Sequence, residues 1–135
     1  MISEAFVQGK KILVVDDEAH ITGVLSLKLG NAGFDVTTAA DGEEALEVVE
    51  QERPDMIITD LQMPYVSGIE LAVRLGESEE TASIPLLMLT ARGYSLSDED
   101  LAPTNIKEVL SKPFSPRDIL ERVKSMLGEQ ENRAA

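Results

Sequence analysis

A chain of 135 residues, 43% of them hydrophobic, suffices for one domain around one core, and folding buries roughly two-thirds of the surface it exposes when unfolded. Lysine and arginine number 12 against 25 aspartate and glutamate, a net charge of −13 that repels a phosphate backbone, so the expected partners are proteins and not nucleic acid. With no cysteine there are no disulfides, thiolate metal sites or cysteine nucleophiles; no apolar run approaches the roughly 20 residues of a membrane helix, and the start lacks a signal-peptide layout, so a cytoplasmic protein off the membrane is expected.

Residues 1–9 read as an N-terminal extension. From Lys11 onward, strand-like and helix-like segments alternate. Strands are expected near 11–15, 35–39, 56–60, 86–90 and 107–111, and helices near 18–31, 42–52, 68–77 and 116–127. The strands are continuous apolar runs, as expected when helices cover both faces of a parallel sheet. Asp41, Ser67 and Ser115 each place a capping oxygen before a helix with an acid three residues on, and Pro116 occupies a first helical position. Gly33 and Gly128 sit where helix ends call for a left-handed residue. Between Thr90 and Lys112 the pattern is less regular: Ser97 caps a helix that Pro103 stops early, which predicts a short or distorted fourth helix. Residues 129–135 read as a flexible tail.

Four of these strands end in polar residues suited to phosphate chemistry. Val14-Val15 runs into Asp16-Asp17, Ile57-Ile58-Thr59 into Asp60, Met88-Leu89 into Thr90, and Leu110-Ser111 into Lys112-Pro113. In a doubly wound sheet, ligands bind beyond the carboxyl ends of the strands. Alone, each residue has a bland reading: an aspartate is a helix cap, a threonine sheet filler, a lysine a solvated side chain. Together they place three carboxylates, a hydroxyl and an ammonium at one edge. Crowded carboxylates repel, and a hard cation such as Mg²⁺ resolves the conflict. Asp60 is then placed to attack phosphorus, with Lys112 and Thr90 serving the phosphoryl oxygens.

Val14-Val15-Asp16-Asp17-Glu18, Thr59-Asp60-Leu61-Gln62-Met63-Pro64 with Gly68 following, Leu89-Thr90-Ala91 and Lys112-Pro113-Phe114 resemble the signatures of the receiver domain of two-component response regulators. The resemblance covers residues 10–128. It implies an α/β, doubly wound, five-stranded parallel sheet of flavodoxin-like order 2-1-3-4-5 with helices on both faces. It implies phosphorylation of Asp60 by a sensor histidine kinase or histidine phosphotransfer protein. It also implies Mg²⁺ held by Asp16, Asp17, Asp60 and the carbonyl of Gln62, Thr90 and Lys112 on the phosphoryl group, and a cis Lys112–Pro113 bond. Such a domain is a signalling phosphoacceptor and not a turnover enzyme, although it promotes its own phosphorylation and dephosphorylation. With nothing after Ala135, a stand-alone receiver is expected, acting on a downstream protein or relaying phosphate.

The chain departs from the resemblance at Val109, where many receivers carry an aromatic residue; Tyr94 is a candidate substitute. Gln62 and Arg92 are candidates for setting the phosphoryl lifetime, Arg92 through an acid such as Glu18. His20 reads as a surface helix residue, so the phosphate source lies outside the chain. The competing readings are a pseudo-receiver that binds partners without phosphorylation, and a phosphatase of the haloacid-dehalogenase kind. The first normally lacks one of the acids, the threonine or the lysine. The second wants Asp-x-Asp after the first strand, and this chain has Asp16-Asp17-Glu18.

Overall fold

The computed structural model describes residues 8–63, 65–91 and 96–134, with 129–134 given by their backbone alone. The elements are β1 (Lys11–Val15), α1 (Ala19–Asn31), β2 (Asp35–Ala39), α2 (Gly42–Glu52), β3 (Met56–Asp60), α3 (Gly68–Gly76), β4 (Leu86–Thr90), α4 (Asp98–Leu101), β5 (Ile106–Ser111) and α5 (Pro116–Ala134). The five strands form one parallel sheet in the order β2-β1-β3-β4-β5, which is the expected doubly wound arrangement.

The strand sequences account for this order. β3 and β4 are buried along their whole length, as is β1 after Lys11, which suits the centre of a sheet covered on both faces. β2 and β5 carry more exposed residues and form the edges. Alternate side chains of the central strands divide into two cores. Ile12, Val14, Ile58, Leu87 and Leu89 pack with Leu25 and Leu29 of α1 and Ile119, Val123 and Leu127 of α5. Leu13, Val15, Ile57 and Leu86 pack with Ala45 and Val49 of α2 and Leu71, Ala72 and Leu75 of α3. Each fully buried Leu or Ile contributes about 1.5–3 kcal/mol relative to exposure.

Helix starts follow the sequence signals. Asp41 accepts from the Glu44 amide at 2.8 Å, Ser67 from the Glu70 amide at 3.1 Å and Ser115 from the Asp118 amide at 3.1 Å. Gly33 takes the expected left-handed conformation after α1, with φ 106°. Gly128 does not: it is buried within α5, which continues to Ala134, beyond the expected end at 127. A glycine can close a helix, but packing against the core keeps this one inside. Ser97 and Asp100 form a reciprocal capping box, and α4 ends before Pro103 as a four-residue helix with no buried residue. Among the described residues, no helix is long and apolar enough to cross a membrane.

Candidate phosphoacceptor and metal site

The parallel register brings the strand ends to one edge. Val15 pairs with Thr59, Asp60 with Leu89 and Thr90 with Ser111. Past the strands, the Asp16 amide donates to the Ala39 carbonyl at 3.1 Å, the Leu61 amide to Leu89 at 2.8 Å and the Lys112 amide to Thr90 at 2.8 Å. Backbone bonds on β1, β3 and β5 thus fix the three charged positions relative to one another.

Asp16, Asp17 and Asp60 converge, with one carboxylate oxygen from each lying within 4.8 Å of the others. Asp16 and Asp60 are buried and Asp17 is exposed. The Lys112 ammonium reaches across from β5, 3.5 Å from Asp60 Oδ1 and 3.9 Å from Asp16 Oδ2. The Glu18 amide donates to Asp16 Oδ1 at 2.9 Å, while Asp16 Oδ2 is buried without a hydrogen bond. Thr90 is fully buried at the end of β4, and its hydroxyl also has no partner. Buried polar groups are ordinarily satisfied, so two orphans at one edge mark a place for a ligand.

The electrostatics agree. Burial pushes the Asp16 carboxyl from an ordinary 3.8 up to about 6, opposed by the Glu18 amide and reinforced by neighbouring Asp60. Burial also raises Asp60, with Lys112 pulling it back down. One ammonium does not compensate three carboxylates. A hard divalent cation with oxygen ligands fits this donor set, supplying the missing positive charge and a partner for Asp16 Oδ2.

Gly68 holds α3 against the phosphoacceptor strand. A Cβ there would lie 2.5 Å from the Asp60 carbonyl oxygen and 2.8 Å from Met88 Sδ, so only glycine lets the helix start at this distance. Gln62 is exposed beside the site and lines an open cleft of about 560 Å³ with Met63, Ser67, Leu96 and Asp100. The Lys112–Pro113 bond is cis, as the resemblance implies. Val109 sits opposite Met88 on β5 and is 37% exposed. His20 is exposed on α1. Arg92 and Tyr94 lie outside the described residues. Sequence reasoning missed the Glu18 amide as a partner of Asp16, because a backbone donor leaves no trace in side-chain identity.

Residues 12–124 match the family of response regulator receiver domains. The alkaline phosphatase synthesis transcriptional regulatory protein PhoP of Bacillus subtilis is 42% identical over 123 residues, covering 91% of this chain and 50% of that protein. The phosphate regulon transcriptional regulatory protein PhoB of Pseudomonas aeruginosa is 40% identical over 119 residues, covering 88% and 52%. The chain therefore spans about half the length of these curated relatives. Among solved structures, a response regulator of Chloroflexus aurantiacus superposes with a TM-score of 0.81 at 35% identity, covering 90% of this chain and 99% of that one. The chemotaxis response regulator CheY4 of Vibrio cholerae gives 0.80 at 33% identity, covering 87% and 98%.

Proposed function

The chain belongs to the receiver domains of response regulators, and from that premise we propose that Asp60 accepts a phosphoryl group from a phosphohistidine on a sensor kinase or histidine phosphotransfer protein. The observation that carries this reading is the complete charge set at the sheet edge: three carboxylates within 4.8 Å, an ammonium 3.5 Å from Asp60 and a buried unpartnered hydroxyl on the next strand.

An Asp60 carboxylate oxygen attacks phosphorus. The P–N bond to the donor imidazole breaks, the imidazole keeps the electron pair and takes up a proton, and Asp60 becomes an acyl phosphate. Asp16, Asp17, Asp60 and the Gln62 carbonyl would hold Mg²⁺, which neutralises carboxylate and phosphoryl charge when bound. Lys112 moves from pairing the carboxylate to pairing a phosphoryl oxygen, and the Thr90 hydroxyl donates to another. Positioning and fixed charge dominate, as phosphoryl transfer requires. Gln62, exposed beside Asp60, orients the water that later hydrolyses the acyl phosphate and so helps set its lifetime.

The chain is a signalling phosphoacceptor whose own residues assist both its loading and its hydrolysis. Phosphorylation biases an equilibrium between two forms with different affinities for a protein partner. The net charge of −13 favours protein contacts over direct contact with nucleic acid, and the setting is cytoplasmic. The test is intact mass after incubation with Mg²⁺ and acetyl phosphate. The expected result is a labile phosphate adduct on the wild type and none on Asp60→Asn. An adduct on both proteins would place the phosphate elsewhere and refute the assignment.

A further inference from the structure

Thr59 carries a hydroxyl where packing calls for none. It is fully buried near the end of β3, opposite Val15 on β1 and Met88 on β4, in a strand that is otherwise apolar up to Asp60. Valine has nearly the same shape and brings no polar atom into the core, so the hydroxyl carries a desolvation cost that its contacts must offset.

Those contacts lie on the turn that leaves the strand. Thr59 Oγ1 donates to the Asp60 carbonyl at 3.0 Å, and Met63 Sδ stands 4.0 Å from the same hydroxyl as a weak second acceptor. The hydroxyl therefore touches both ends of the segment from Asp60 to Met63. Leu61, between them, is held by the backbone: its amide donates to Leu89 at 2.8 Å and its carbonyl accepts from the Gly68 amide at 2.9 Å. The Asp60 carbonyl is also the atom against which α3 begins, since a Cβ on Gly68 would lie 2.5 Å from it. Both carbonyls that precede Gln62 are thus committed to the fold. Gln62 itself turns back to the phosphoacceptor: burial raises the Asp60 carboxyl, and the Gln62 amide is among the groups that draw it down again by hydrogen bonding.

A peptide unit is planar, so a donor on the Asp60 carbonyl fixes the whole Asp60–Leu61 plane and the direction in which the chain reaches Gln62. Resting on the phosphoacceptor reading above, we infer that Thr59 is a positioning residue, whose hydroxyl sets the tilt of that plane so that the turn presents Gln62 to the Asp60 carboxylate and to the cation. Thr59 acts only through Asp60 and Gln62. Groups that orient a metal's ligands are typically worth about 10–100-fold in metal affinity.

The experiment uses two pairs that differ in the hydroxyl, wild type against Thr59→Val and Thr59→Ser against Thr59→Ala. Melts in EDTA read stability, the rise of melting temperature with Mg²⁺ concentration reads cation affinity, and intact mass with acetyl phosphate reads loading. Thr59→Val loses one hydrogen bond and one buried polar group together, so its metal-free melt should stay within about 4 °C of wild type. Its Mg²⁺ affinity should nevertheless fall about ten-fold, and half-maximal loading should need correspondingly more Mg²⁺. Thr59→Ser should bind Mg²⁺ several-fold more tightly than Thr59→Ala, a comparison that holds even if valine disturbs the fold. Mg²⁺ affinity within about two-fold between the members of both pairs would overturn the inference, by leaving the hydroxyl a packing feature alone. Neither Mg²⁺ stabilisation nor an adduct on wild type would instead refute the phosphoacceptor reading on which the inference rests.

Discussion

Replacing Asp16 by asparagine should stabilise the metal-free protein at neutral pH. The carboxyl is buried, and its pKa stands at about 6 against an ordinary 3.8, an interval corresponding to roughly 3 kcal/mol of native-state penalty once both states are ionised. Asparagine keeps an oxygen for the Glu18 amide, which donates to Asp16 Oδ1 at 2.9 Å. Its amide nitrogen, however, inherits the buried position of Oδ2 without a partner, at a cost of about 1–2 kcal/mol. The net gain is about 1–2 kcal/mol, or roughly 3–6 °C in melting temperature for a domain of this size.

The sign of the pH dependence is fixed. Because the native pKa lies above the unfolded one, the penalty is absent below 3.8, grows as pH rises and is complete above about 6. Melts followed by circular dichroism in EDTA should therefore show the variant above wild type at about pH 7.5, with the gap closing near about pH 5 and reversing towards about pH 4, where the cost of the unpartnered amide is left. Excess Mg²⁺ should raise wild type more than the variant, since a cation held by these carboxylates would favour the folded state and relieve the same repulsion. A variant that melts below wild type at neutral pH, or a gap that does not change with pH, would refute the reasoning.

Gly68→Ala places a methyl 2.5 Å from the Asp60 carbonyl oxygen, so α3 must shift; a loss of about 2 kcal/mol in urea unfolding is expected, with slower loading by acetyl phosphate. Thr90→Val removes a buried hydroxyl that has no partner, so unphosphorylated stability should stay level or rise by about 1 kcal/mol while the loading rate falls several-fold. Lys112→Ala removes the ammonium 3.5 Å from Asp60, and single-turnover transfer should slow by roughly 10²–10³-fold.

The site was legible because strand ends are. An apolar run that stops at Asp60 or Thr90 places that residue at the sheet edge whatever the details of packing, and parallel register does the rest. Ser97 and Pro103 likewise set the limits of α4 through local chemistry alone. Where tertiary contacts decide, the sequence carried less. Gly128 has the composition of a helix end but lies buried within α5. Between Leu86 and Leu87 the β4–β5 pairing shifts register, which sets Glu108 beside Leu87 and Val109 beside Met88, and no residue type announces that shift. Tyr65 owes its left-handed backbone to the anchoring of Val66 and Met63 around it, a constraint that exists only once α2 and α3 are packed.

The central claim is that the phosphoryl group resides on the Asp60 carboxylate. Borohydride reduction of the loaded protein converts an acyl phosphate to homoserine, and peptide mass mapping then reads its position. Homoserine at position 60, dependent on both Mg²⁺ and the phosphodonor, is the predicted result. Loaded protein with an intact aspartate at position 60, and homoserine elsewhere or nowhere, would contradict the account.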